Sequence, residues 1–481
     1  MTKTNFWRIF GIYVEVYIVV YFCLRMNIER IDTMEQYDVF LINPPSSRMK
    51  EKYEHLGLAY IAAFLRKYDI KTKIIDIPLY DLYPNDVIYE IKSDKPKLIG
   101  VSIPFQDSAS EALEFVKSIR ETGYKGHISI GGIYPTFSYN EILSVCPQID
   151  TVVVGEGEIT FLELARKILS DEDWKNILGI AFRDGNTLRL NDKRPLIDDL
   201  DSMPYPERDT LPIVILKSGF ASILTSRGCY GRCSFCSVGP FFSQFGQKYR
   251  QRSVENVMEE IKILYEKYNV RNIFFNDAEF IGGKGKNYER AYKLAEELIK
   301  SGMDLYFSIQ CRVNDVEKEL FTMLKRAGLR RVFLGVESGS QTVLDRFKKD
   351  VSVEDNITAL KILNELELYI SMGFIMFDPH INYKELSENI SFINNAVKLI
   401  GKERLDYYPV SRLLPLAGTE VERDMKEKGL YKGNSLNYNY EFDDKTIGFI
   451  YNLSHSVYNL VGNLKSRFKG NSDINTKWIK R

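Results

Sequence analysis

Ser226-Arg227-Gly228-Cys229-Tyr230-Gly231-Arg232-Cys233-Ser234-Phe235-Cys236 holds three of the chain's six cysteines within eight residues, spaced C-x3-C-x2-C among glycines. Thiolates this close in one loop form a ligand set, because a soft metal needs several sulfurs within bonding reach. A four-iron cube held by three sulfurs keeps one iron free for another ligand. The rest of the chain is arranged around this loop.

A strand at residues 221–225 delivers the loop, and a regular alternation follows it. Helices are predicted over 253–267, 288–300, 315–327, 341–347, 353–365 and 385–399, and strands over 272–276, 305–311, 331–336, 369–377 and 405–413. Six strand–helix units predict an incomplete (β/α) barrel, whose chemistry gathers on loops leaving the carboxyl ends of its strands. Cys229, Asp277, Arg312 and Glu337 all lie at such ends.

Upstream, five short apolar runs at 39–42, 73–77, 98–102, 128–132 and 151–155 alternate with helical stretches at 55–67, 108–122 and 158–169. This pattern predicts a doubly wound parallel sheet, giving an α/β chain of Rossmann-like sheet and partial TIM-type barrel. Such sheets bind ligands beyond their strand carboxyl ends, where glycine loops let a large flat cofactor approach the backbone. The loops at that edge are Pro44-Pro45, residues 102–106 from Ser102, Gly131-Gly132 and Gly155-Glu156-Gly157-Glu158. Residues 176–208 read as a connector, with an Asp184-Gly185 hairpin signal and a proline-fixed strap at 200–206. The predicted division is 1–36 hydrophobic extension, 37–172 first domain, 173–212 linker, 213–415 barrel and 416–481 a small, mainly helical C-terminal region.

Length and composition agree with this division. A chain of 481 residues implies two to four domains, and 44% hydrophobic with 27% charged residues suits buried cores. Lys plus Arg equals Asp plus Glu at 65 each, which argues against nucleic acid as the main partner. The other cysteines form no disulfide framework and no export signal is evident, so a reducing cytoplasm is expected. Residues 9–24 are apolar, flanked by Arg8 and Arg25 and interrupted by Glu15. They read as a membrane-surface anchor, an extension packed on the body, or residues upstream of a start at Met34; they are short for a bilayer span.

The cysteine loop, with Phe235 before its last cysteine, resembles the signature of the radical S-adenosylmethionine (SAM) enzymes. The resemblance extends through Phe275-Asn276-Asp277, Cys311-Arg312 and Gly335-Val336-Glu337-Ser338-Gly339-Ser340. The first domain resembles the cobalamin-binding domain of one large branch, on Asn43-Pro44-Pro45, Gly131-Gly132-x2-Pro135-Thr136 and Gly155-Glu156-Gly157-Glu158-x-Thr160-Phe161. Together these cover about residues 37–415.

The resemblance implies a [4Fe-4S] cluster on Cys229, Cys233 and Cys236, with SAM chelating the open iron. It implies reductive cleavage to a 5′-deoxyadenosyl radical, fed by an external donor such as flavodoxin or ferredoxin. Phe235 would lie near the adenine, Glu337 and Ser338 near the ribose or amino group, and Arg312 near the methionine carboxylate. Glu337 and Asp277 are the candidate catalytic carboxylates. For Glu337 and Arg312, structural ion pairing remains the alternative. Cobalamin would lie on the loops of Pro44, Pro45, Ser102, Gly131, Gly132, Gly155, Glu156, Gly157 and Glu158.

Two features depart from familiar patterns. No Asp-x-His-x2-Gly is present among the four histidines, so cobalt is expected to lack a protein histidine ligand. A turn that often reads Gly-x-Pro-Gly-Glu-Thr is here Phe377-Asp378-Pro379-His380. Phe241, Phe242, Phe245 and Tyr249 either line a pocket over the cluster or pack its loop. The function implied is methylation of an unactivated carbon or a phosphorus centre in a small molecule or peptide. The alternatives are a non-methylating radical cyclase, rearrangement or oxidation enzyme, and a non-catalytic redox or cobalamin sensor.

Overall fold

The computed structural model describes residues 36–47, 52–246, 248–283, 285–468 and 479. All but the last residue of the predicted N-terminal extension lies outside them.

Strands β1 (Val39–Asn43), β2 (Thr72–Asp76), β3 (Leu98–Ser102), β4 (His127–Gly131) and β5 (Thr151–Val153) pair in parallel in the order β2-β1-β3-β4-β5. Their near-continuous apolar runs reflect burial on both faces. Phe40, Ile42 and Ile99 enter one core, while Val39, Leu41 and Leu98 enter another beneath the helix Leu56–Arg66. The winding reverses between β1 and β3, which opens a crevice at their carboxyl ends. The Asp184-Gly185 hairpin, β6 (Ile180–Asp184) and β7 (Thr187–Leu190), adds antiparallel strands to the β5 edge. The sheet therefore runs on into residues that read as linker in the sequence.

The strap is fixed at both ends. Ser253 donates its backbone N–H to Asp201 Oδ1 at 3.0 Å, and Arg208 bridges Glu54 at 2.7 Å and Glu260 at 2.6 Å. All three side chains of that bridge are nearly inaccessible, so the first domain is joined to the barrel through a buried ion cluster.

β8 (Ala221–Ile223) leads into β9 (Ser226–Gly228), which pairs antiparallel with β10 (Tyr249–Gln251) around the cysteine loop. β11 (Asn272–Phe275), β12 (Tyr306–Arg312), β13 (Leu329–Glu337), β14 (Tyr369–Phe374) and β15 (Leu405–Asp406) extend from β8 as a parallel sheet in chain order. This is the six-stranded partial barrel, with helices outside. Ser352 and Asn382 open two of those helices with capping boxes, each worth about 1 kcal/mol.

β14 and β15 are shorter than expected; beyond them a single bridge joins Phe377 to Arg412. The chain turns at Asp378, whose carboxylate pairs with Arg346 at 2.9 Å and accepts the His380 N–H at 3.0 Å. Helices Pro84–Asp94 and Ile133–Val145 were not expected; the second has almost no apolar stripe and is kinked at Ser138. At the C-terminus the helix Glu420–Glu427 precedes a hairpin, β16 (Tyr431–Gly433) and β17 (Tyr438–Tyr440). One continuous helix, Lys445–Phe468, follows.

Candidate active site

The cysteine loop leaves β9 with its backbone pinned, since Cys229 N–H donates to the Lys248 carbonyl at 3.0 Å. Gly231 N–H donates to Cys229 Sγ at 3.3 Å and Arg312 Nη1 to Cys233 Sγ at 3.2 Å. Donors of this kind stabilise sulfur once it is ionised. Burial pushes the Cys229 thiol up to about 12, so it loses its proton only to a strong local positive charge, which iron provides. Among the described residues no three metal-ligating groups converge on a single ion. Three partly buried thiols spread along one loop suit a cluster in which each iron takes one sulfur. The loop fits a [4Fe-4S] cluster.

Arg312 ends β12 with its guanidinium 5.3 Å from the Tyr230 ring centre and Nη2 donating to the Lys349 carbonyl. Tyr230 in turn donates to Asp315 at 2.5 Å. Arg312 thus braces the cysteine loop from beneath. Phe235 packs edge-on against Phe347 at 5.2 Å and, with Cys236, faces a cavity of about 770 Å³.

Glu337 ends β13 at a bulge, in the left-handed region with φ of 68°. A non-glycine residue held there costs about 1 kcal/mol or more and is retained where the surroundings enforce it. Its Oε1 lies 3.1 Å from Lys349 Nζ, a partner that the sequence reading missed. Ser338 and Asp277 are fully buried and stand behind the site. Ser338 donates to Asn389 Oδ1 at 2.7 Å. Asp277 Oδ1 accepts from Thr225 N at 3.0 Å, Thr225 Oγ1 at 2.9 Å and Ser226 Oγ at 2.5 Å, tying β11 to the strand that delivers the cysteines. Neither side chain is among those lining the cavities described here.

At the sheet edge, Gly131, Gly155 and Gly157 line a cavity of about 330 Å³, while Ser102 and Gly132 also border one of about 940 Å³. Gly132 has φ of 124°, and a Cβ there would sit 2.5 Å from the Ile103 carbonyl oxygen. Gly155 has φ of 95°, and its Cβ would sit 2.7 Å from Phe245. Only glycine serves at these two positions. Pro44 and Pro45 carry the chain from β1 toward Ser46, which borders the cavity of Phe235.

Glu156 and Glu158 behave differently from the glycines beside them. They contribute to the cavity wall, but their carboxylates are spent on the barrel. Arg227 reaches Glu156 at 2.8 Å and Glu158 at 2.5 Å, and Arg250 reaches Glu156 at 2.6 Å. Burial alone would raise Glu156, but Arg227 and Arg250 overcome it and hold the carboxyl below its ordinary range. Burial opposes the charge on Arg227 too, and the two carboxylates more than restore it. Arg227 lies two residues before Cys229, so this clamp ties the sheet edge to the cluster loop.

His55 also borders the 940 Å³ cavity. Its Nδ1 accepts the Leu58 N–H at 3.2 Å, capping the helix, and burial lowers its pKa to about 4. The neutral ring therefore carries its proton on Nε2, presenting a donor and not a metal-ligating lone pair. Of the aromatics after the cysteines, Phe241 and Phe242 line the 330 Å³ cavity, while Phe245 packs on Gly155.

Comparison with known proteins gives the same two halves. Residues 223–393 match the radical SAM superfamily model and residues 47–165 the B12 binding domain. An uncharacterized methyltransferase of Pyrococcus horikoshii is 31% identical over 398 residues, 81% of this chain and 83% of that protein. Cytidylyl-2-hydroxyethylphosphonate methyltransferase of Streptomyces wedmorensis is 24% identical over 463 residues, 84% of this chain and 85% of its own. Among solved structures, the cobalamin-dependent SAM radical enzyme OxsB matches with a TM-score of 0.76 at 24% identity, covering 92% of this chain and 70% of that one. The chain belongs to the radical SAM superfamily, in its cobalamin-dependent branch. Its cofactors are a [4Fe-4S] cluster, SAM and cobalamin.

Proposed function

We propose that the chain methylates an unactivated carbon, or a phosphorus centre, of a small-molecule or peptide substrate. The observation that carries this reading is the shared space between the two halves. The 940 Å³ cavity runs from Ser102 and Gly132 at the sheet edge to Phe333 and Phe374 in the barrel. The 770 Å³ cavity joins Phe235 and Cys236 to Pro104 and Ile133 of the first domain. Ile133 borders both cavities, so a substrate between them would meet both cofactors. The two relatives named as methyltransferases support the same reading.

When bound, the cluster and cobalamin supply reductive cleavage and a carrier for the methyl group, with electrons from a donor such as flavodoxin or ferredoxin. The chain's own share is positioning and exclusion of water. Phe235 offers an aromatic face for the adenine. Glu337, held by Lys349, reaches the ribose or amino group, and Arg312 keeps the cysteine loop in register for the methionine carboxylate. Predominantly apolar walls around Phe333, Phe374 and Phe241 keep water from the reacting carbon. Turnover with methyl-labelled SAM tests the reading: label in the product is expected. Substrate turnover without label would replace methyl transfer by a cyclisation, rearrangement or oxidation.

A further inference from the structure

Helix Lys445–Phe468 is held to the barrel along one side. Ile447 and Tyr451 enter the core, with the Tyr451 ring 5.3 Å from Phe377 and 5.6 Å from Phe442. Farther along, Tyr458 meets Tyr408 edge-on at 5.0 Å. The other side carries Phe449, Leu453, Val457, Leu460 and Val461, exposed by 66, 55, 52, 61 and 41%. Their spacing places all five on one stripe of the helix. A continuous apolar stripe of this kind marks an interaction surface.

Charge identifies what the stripe meets. Residues 445–481 carry seven Lys or Arg and one acid, Asp473, in a chain whose charges balance overall at 65 of each sign, so the rest of the chain is net acidic, 58 against 64. No acid lies within the helix itself. An apolar stripe beside a basic, acid-poor segment is the chemistry of a helix lying in the interface of an anionic bilayer. Tyr408 and Tyr458 also line the 940 Å³ cavity, so the same side of the molecule carries that cavity's wall. We infer that the chain docks on an anionic lipid surface through the Phe449–Val461 stripe, with the interdomain cavity turned toward the bilayer. This is surface attachment: among the described residues no helix is long and apolar enough to cross a membrane.

Co-sedimentation of the full chain with vesicles tests the proposal and needs neither cofactors nor turnover, so its outcome is independent of methyl transfer. Binding to phosphatidylcholine–phosphatidylglycerol vesicles is expected to exceed that to phosphatidylcholine alone by at least about tenfold, and to weaken with salt. Leu453→Glu with Leu460→Glu, both at exposed positions, removes the binding while leaving thermal unfolding unchanged. Lys465→Glu with Lys469→Glu removes the preference for the anionic lipid. Failure to sediment with either vesicle overturns the proposal, as does equal binding by the Leu453/Leu460 variant. Sedimentation velocity covers the other occupant: a dimer split by that variant, without a change in vesicle binding, makes the stripe a seam between copies and also overturns it.

Discussion

Two loops face each other across the domain interface, and their motifs work in opposite ways. In the cysteine loop, Cys229, Cys233, Cys236 and Phe235 put the chemistry in the side chains, while backbone donors and Arg312 stand behind the sulfurs. In the loop from Gly155 to Glu158 the glycines give the cavity its room, while the conspicuous Glu156 and Glu158, also in its wall, have their carboxylates paired with Arg227 and Arg250. A soft metal needs particular ligand atoms, whereas a large corrin needs room and close backbone approach. Charged residues in a cofactor motif can therefore serve the frame that joins two domains.

The largest effect expected from this contrast lies at the sulfurs. Cys233→Ala should lower 5′-deoxyadenosine formation at least about a hundredfold, because loss of one of three ligands removes the cluster that cleaves SAM. Iron and sulfide analysis should fall with it, and cobalamin binding, seen by absorbance, should stay. A variant that keeps a full four-iron signal would break the assignment of the loop.

The parts of this arrangement that were legible share a physical trait: they are local in the chain. The C-x3-C-x2-C spacing lies within one loop, and the parallel strands announce themselves as apolar runs because both of their faces are buried. The partners that decide side-chain roles are distant. Arg227 lies 71 residues from Glu156 and Arg250 lies 94 from it, and their meeting depends on how two domains dock. Lys349 is only 12 residues from Glu337, yet two turns and a helix intervene, and nothing in the lysine's surroundings marks it. Ser338 and Asp277 sit inside the quoted motifs, but spacing does not encode their burial or their hydrogen bonds to Asn389 and Ser226. The helix Ile133–Val145 was hidden for a related reason, since contacts on several sides leave it no clear apolar stripe.

The clamp provides the next test. Arg227→Met leaves two buried carboxylates without their main partner, a change that costs about 3–5 kcal/mol. Urea unfolding of the apoprotein should register it. Adding Glu156→Gln and Glu158→Gln to Arg227→Met should recover much of the loss, because the buried charges disappear with their partner. If Arg227→Met alone were neutral, the two glutamates would be available to a cofactor after all. A smaller effect is expected from Gly155→Ala: φ of 95° and Phe245 at 2.7 Å oppose a methyl group, at about 1–3 kcal/mol. Its cobalamin affinity should fall while its iron content stays normal, the reverse of Cys233→Ala.

Burial also sets how groups in the two halves respond to pH. In the first domain, burial lowers His55 and His127 to about 4, below the ordinary 6.5. As pH falls from 6.5 toward 4, the unfolded chain takes up protons that the folded chain refuses, and each histidine removes about 1 kcal/mol of stability per pH unit. In the barrel, burial, reinforced by Asp315, raises Glu279 to about 8. There the folded chain holds a proton that the unfolded chain has released, so stability is full below 4.5 and is lost as pH rises toward 8. These histidines and Glu279 therefore lose stability in opposite directions. His55→Gln should flatten the acid limb of a plot of unfolding free energy against pH, and Glu279→Gln the alkaline limb. If both substitutions acted on the same limb, burial would not be what sets these protons, and the acid limb would have to come from carboxylates such as Glu156 losing their arginine partners.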